Sequence, residues 1–136
     1  MDNSADRLVD VFFYGLYMDP ELLQSRGVTP RNPRTGVLPG YRLRIGRMAT
    51  LLRVPHGEAH GIVYALTHEE LNSLYWGAGL DAYVAEPVTV RTSADGSVAA
   101  LCCNLLVPPD DEEENPAYLG KLNQCMTRLG LPLPGL

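Results

Sequence analysis

Residues 9–14, Val-Asp-Val-Phe-Phe-Tyr, are apolar at almost every position and rich in β-branched and aromatic side chains. A strand with one wet face alternates polar and apolar residues, whereas a run like this one is covered on both faces, so the chain must place further layers on either side of it. The next element is set by its start and stop chemistry. Asp19-Pro20-Glu21 supplies an N-cap, a proline at the first helical position and an acid in the first turn, and Gly27 closes a short helix of about two turns.

The stretch from Gly27 to Gly40 holds Pro30, Pro33, Pro39 and scattered arginines, which predicts an irregular crossing with at most a brief strand inside it. Arg42-Leu43-Arg44-Ile45 alternates and predicts a strand. Another strand, Gly61–Leu66, runs into Thr67-His68-Glu69-Glu70, a capping box with Thr67 as N-cap and Glu70 three residues on. Leu71, Leu74 and Tyr75 make the buried stripe of the helix that follows, and Gly77 and Gly79 end it. Residues 82–92 and 97–107 alternate around Asp95-Gly96 and predict an antiparallel hairpin. Asn115-Pro116 starts a last helix, with Leu119, Leu122, Met126 and Leu129 at helical spacing until Gly130 and Pro132. The order β-α-β-β-α-β-β-α lacks the steady alternation of a doubly wound sheet. It predicts an α+β chain, a mixed sheet curled into a small β-barrel with flanking helices. Residues 1–8 read as a flexible N-terminal segment ahead of a single domain over 9–136.

Composition narrows the partners. At 136 residues and 46% hydrophobic, the chain can bury an ordinary core without staples. A net charge of -5, with only 11 Lys plus Arg, argues against the basic footprint of a nucleic-acid binder. Met1–Arg7 is polar and acidic where a secretory signal needs basic residues and then an apolar run, and no later stretch approaches a membrane span, so a cytoplasmic protein without membrane contact is expected. Cys102, Cys103 and Cys125 are odd in number, and the first two point to opposite faces of a strand; reduced, buried thiols are expected. Cys103, inside the apolar run Ala99–Val107, reads as inert core. His56, Glu58 and His60 would share a face of a straight strand, but Pro55-His56-Gly57 reads as a turn that scrambles that alternation, and no metal site is predicted. Asp110–Glu114 reads as a solvated acidic loop. No feature sets an oligomeric state.

Two segments carry the chemistry: Phe12-Phe13-Tyr14-Gly15-Leu16-Tyr17-Met18, and Leu74-Tyr75-Trp76-Gly77-Ala78-Gly79-Leu80-Asp81-Ala82-Tyr83. Together they resemble the γ-glutamylcyclotransferase-like, or AIG2-like, family, whose first segment reads aromatic-aromatic-Tyr-Gly-Ser-Asn-Met and whose second reads Leu-Asp-x-x-Glu-Gly with a tyrosine soon after. Tyr14, Gly15, Met18, Leu74, Gly79 and Tyr83 fit. The resemblance extends to Gly36–Leu43, His60–Leu66 and Pro116-Ala117-Tyr118-Leu119. It implies the same mixed barrel, no metal and no organic cofactor. In the family's reaction the substrate's own α-amino nitrogen attacks its γ-carbonyl, releasing 5-oxoproline and a free amine. A glutamate takes a proton from the ammonium and returns one to the leaving nitrogen, a role worth ~10²–10⁴ in rate.

That glutamate falls on Ala78, which moves no protons. Asp81 is the best substitute in sequence; Glu86, beside Pro87, is a poorer one. The resemblance implies ligand contacts from Tyr14, Gly15, Leu16, Tyr17, Met18, Tyr83 and Tyr118, with the backbone amides of 15–18 cradling a carboxylate. Leu16 and Tyr17 stand where the family has Ser and Asn, making the pocket more apolar or narrower. The expected function is binding of a small amino-acid-like or γ-glutamyl-like carboxylate, with weak or absent cyclotransferase activity. The alternatives are a γ-glutamyl or γ-glutamylamine cyclotransferase using Asp81, and a non-enzymatic interaction module presenting exposed aromatics such as Trp76.

Overall fold

The computed structural model describes residue 4, residues 6–94 and residues 96–134. Asp95 of the expected hairpin turn, and residues 1–3 and 5 of the expected N-terminal segment, lie outside the described residues. In chain order the elements are β1 (Leu8–Phe13), a turn of 3-10 helix (Leu16–Met18), α1 (Pro20–Ser25), β2 (Arg31–Ile45), β3 (Ala49–Thr67), α2 (His68–Tyr75), β4 (Tyr83–Thr92), β5 (Gly96–Leu105) and α3 (Pro116–Arg128). The strands close a barrel in the order β1-β3-β2-β4-β5. β1 closes it, antiparallel to β3 and parallel to β5. The architecture is the α+β mixed barrel that the element order predicts. Among the described residues no helix is long and apolar enough to cross a membrane.

The covered strand is where the apolar run places it: Val11, Phe12 and Phe13 are buried. Its one acid has a specific partner. Arg34 on β2 reaches Asp10 with two nitrogens, at 2.6 and 3.2 Å, so a carboxylate in an apolar strand is neutralised by a bidentate pair.

The crossing between Gly27 and Gly40 is not irregular. Most of it is the first half of β2, and the prolines are tolerated because they sit where the ladder to β3 breaks step. Pro33 lies between the pairs Arg31↔Ala65 and Arg34↔Val63, and Pro39 borders a second break before Tyr41↔Arg53. At a bulge the missing N–H removes no ladder bond. The turn expected at Pro55-His56-Gly57 is likewise absorbed. Residues 54–57 lie opposite Gly40 alone, His56 adopts φ 65° there, and β3 continues through the kink. The chain reverses between β2 and β3 at Gly46–Met48 instead, where the Gly46 amide donates to the Met48 carbonyl.

Helix ends follow their local chemistry. Asp19 accepts from the Glu21 amide, Asn115 from the Tyr118 amide, and Thr67 with Glu70 forms the full capping box of α2. Glu70 does more than cap. Its carboxylate also accepts from the Thr29 amide at 2.8 Å and from Arg31 at 2.9 Å, tying the α1–β2 connection to α2. Burial alone pushes this carboxyl up, but the bonds from Arg31, Thr29 and Thr67 outweigh it and hold it below the usual range. A depressed folded-state pKa contributes stability above the ordinary carboxylate pKa and loses it as pH falls through the lower folded value. Glu70→Gln is expected to destabilise the fold by about 1–2 kcal/mol at pH 7 and by progressively less below about pH 4. Urea unfolding at both pH values checks this; an equal loss at both would remove the charge from the explanation.

Candidate active site

A cavity of about 240 Å³ opens where β1 ends. One wall is the turn after β1, from Phe13 to Tyr17, and another is Tyr75, Leu80 and Tyr83 around the end of α2 and the start of β4. Tyr118 of α3 closes the far side, and Arg47 and Met48 of the β2–β3 turn, with Ala49 at the start of β3, face it. Leu22 and Arg26 of the α1 region complete the rim. The two segments singled out in the sequence therefore border one cavity.

Of the expected ligand contacts, Tyr14, Gly15, Leu16, Tyr17, Tyr83 and Tyr118 line this cavity, whereas Met18 does not. Met18 is fully buried, and its carbonyl accepts from the Tyr64 hydroxyl at 2.7 Å, so it anchors the turn from below. Ala78 and Asp81 are both exposed on the α2–β4 loop and neither is among the lining residues. Glu86 is elsewhere too, accepting from Asn104 at 3.2 Å with Arg53 at 3.7 Å.

Gly15 is required for space. Its φ of -113° is ordinary for any residue, but a Cβ there would lie 2.4 Å from the Tyr118 hydroxyl oxygen. That oxygen accepts from the Leu16 amide at 3.1 Å. The Met18 amide donates to the Gly15 carbonyl. Two of the four amides expected to cradle an anion thus have partners inside the protein, which narrows the cradle to Gly15 and Tyr17.

The other hydroxyls brace the walls. Tyr14 donates to the Cys103 carbonyl at 2.6 Å and Tyr83 to the Ala49 carbonyl. Burial pushes the pKa of Tyr14, Tyr75 and Tyr83 up, so all three are neutral phenols at physiological pH and none is a base. Phe13, Tyr17, Tyr75 and Tyr83 form a row of edge-to-face ring contacts. Trp76 is half-buried, and its indole N–H donates to the Tyr83 carbonyl at 3.0 Å, fixing the loop. All three cysteines are free and buried. Burial raises the Cys103 thiol to about 12, which keeps it protonated and unreactive. Glu58, from the alternating His56/Glu58/His60 set, pairs with Arg91 at 3.2 Å.

Sequence reasoning passed over Arg26, Arg47 and Tyr75. The arginines are the charged groups of the lining, and Tyr75 reads as core stripe although its ring is also a cavity wall. The usable signal was their position: Arg26 immediately precedes the helix-ending Gly27, and Arg47 sits in a tight reversal between strands.

The family model for gamma-glutamyl cyclotransferase, AIG2-like, matches residues 11–121. The chain belongs to this family. Among solved structures it is similar to a gamma-glutamyl cyclotransferase, with a TM-score of 0.78 at 22% identity over 93% of this chain and 83% of that one. An uncharacterized human protein is similar at TM-score 0.77 and 21% identity, covering 93% and 82%. A yeast gamma-glutamyl cyclotransferase specific to glutathione gives 0.63 and 13%, covering 92% and 89%. At such identities the likeness is one of fold. No curated protein is significantly similar in sequence.

The Gly15–Tyr118 contact yields a sharp test. Gly15→Ala should displace the Tyr118 ring and leave the Leu16 amide unpaired, costing about 1–3 kcal/mol. Tyr118→Phe removes the clashing oxygen and leaves the ring carbon 3.8 Å from the new methyl. In that background Gly15→Ala should therefore cost markedly less than in the wild type. A double-mutant cycle of unfolding free energies measures the coupling, and additive losses would refute the contact.

Proposed function

We propose that this member of the family binds a small amino-acid-like or γ-glutamyl-like carboxylate in the Tyr-lined cavity, with standard cyclotransferase activity weak or absent. The observation that carries the reading is the charge inventory of the lining: Arg26 and Arg47 are present and no residue lining the cavity has a carboxylate. Arginine pairs well with a ligand carboxylate. The cyclisation of a γ-glutamyl group needs a base for its ammonium, and the neutral tyrosines do not supply one. The exposed loop placement of Ala78 and Asp81 supports the same reading, and gives the Asp81-based alternative no geometric help. The volume, about 240 Å³, lies below the ~300–1,000 Å³ of drug-sized sites, which favours a small ligand. The interaction-module alternative is less favoured, since Trp76 is half-buried and bonded to the Tyr83 carbonyl. A cytoplasmic location, without nucleic acid, membrane or cofactor, belongs to the same proposal.

The test is release of 5-oxoproline from γ-glutamyl dipeptides and γ-glutamylamines, read beside ligand binding. Wild-type protein should bind yet release little or nothing. Ala78→Glu should raise release above that background, by up to ~10²-fold if the carboxylate reaches the cavity. Robust wild-type turnover would overturn the proposal, and its loss in Asp81→Asn would transfer the role to Asp81.

A further inference from the structure

The charged residues lining the cavity are of one sign only. Arg26 comes to it from the end of α1 and Arg47 from the β2–β3 turn, and the lining carries no counter-ion. The nearby acids lie outside the lining. Asp81, beside Leu80, is exposed. Glu113 accepts from the amides of Arg47 and Asp110, which with the Arg47 charge hold its carboxyl below the usual range, and it faces Arg47 from outside the cavity. The carbonyls of Ala49 and Cys103, which could otherwise receive a cationic nitrogen, already accept from Tyr83 and Tyr14. Aromatic faces can hold an ammonium when several surround one point. Here the ring contacts run in sequence, Phe13 to Tyr17, Tyr17 to Tyr75 and Tyr75 to Tyr83, with centroids 6.2, 5.7 and 5.3 Å apart and steep interplanar angles, so the rings pack on one another in a row.

From this inventory we infer that the cavity selects small carboxylates that carry no ammonium group, the nitrogen of any amino-acid-like ligand being an amide or lactam rather than a charged amine. The inference rests on the ligand-binding reading above and narrows it. An ammonium entering the cavity gives up water, meets two like charges and finds no anion among the lining residues. The same molecular body with a neutral nitrogen avoids that penalty and keeps the carboxylate that the arginines attract.

Three probes of nearly equal size separate the possibilities: 5-oxoproline, cyclopentanecarboxylate and proline share a five-membered ring and a carboxylate, and only proline carries an ammonium at neutral pH. In an NMR titration of the full chain at pH 7, the first two should shift the amides of residues 15–17 and 47–49. Proline should do so on the order of 10- to 100-fold more weakly. Met48→Glu, which places an acid in the lining, should move the preference toward proline, whereas Met48→Gln should not. Proline binding as tightly as 5-oxoproline at the same amides would overturn the ammonium exclusion and leave the ligand-binding reading standing. Absence of shifts at these amides with all three probes would overturn both.

Discussion

The carbonyl of Ala49 is the point at which the cavity end of the barrel is held together. The Tyr83 hydroxyl at the start of β4 donates to it, and the Tyr14 hydroxyl beyond β1 lies 3.5 Å away while donating to Cys103 of β5. Next to this knot the Leu51 amide donates to the Asn104 side chain at 3.2 Å, and the Leu105 amide to the Thr50 hydroxyl at 2.9 Å. β3 and β5 are not neighbours in the barrel order, so side chains do here what a ladder does elsewhere. The two β3–β5 bridges run through the side chains of Asn104 and Thr50, while the tyrosines tie β4 to β3 and the turn after β1 to β5. Each bond is worth only about 0.5–1.5 kcal/mol net, yet a buried group that loses its partner costs about 1–3 kcal/mol. The cluster therefore holds or fails together.

Because those bonds are internal, the phenols at the cavity serve the frame before they serve a ligand. The same is true of Tyr118, whose oxygen is tied to the Leu16 amide 102 residues away in sequence. Hydroxyls that brace walls give a site a fixed shape, and fixed shape reduces the ordering penalty when a small ligand binds. On the proposed reading, what they leave undone is charge recognition, which falls to Arg26 and Arg47.

How much of this was legible in the sequence depends on whether the cause was local. The caps at Asp19, Thr67 with Glu70, and Asn115 were readable because the donor and acceptor lie within three residues of each other. The β4–β5 hairpin was readable for the same reason, its alternation and turn being one continuous stretch. β2 was not, because proline argues against a strand only when its neighbour is known, and Pro33 and Pro39 sit at breaks that belong to the pair β2–β3. The reason for Gly15 was equally hidden: its dihedrals are ordinary, and the oxygen that forbids a side chain arrives from α3. Arg26 and Arg47 look like surface charge until α1 and the β2–β3 turn converge. The resemblance to the family identified Tyr14, Tyr83 and Tyr118, which fit its pattern, and was silent on Arg26 and Arg47.

On the proposed reading, the absent carboxylate matters twice. In a γ-glutamyl cyclotransferase an acid moves a proton, and while it is ionised it also balances the substrate's ammonium. A cavity lined by cationic groups without a carboxylate differs from such a site in the charge it favours as well as in its rate. A site with acid and arginine is matched to a zwitterion; one with arginines alone is matched to an anion. Weak catalysis and preference for an anion then go together, and a chain can leave the family's chemistry without dismantling its pocket. The tyrosine frame fits that course, because nothing in its hydrogen bonding depends on Ala78: the loop that carries this residue is pinned by Trp76 to the Tyr83 carbonyl, and Tyr83 to Ala49, whichever side chain occupies position 78.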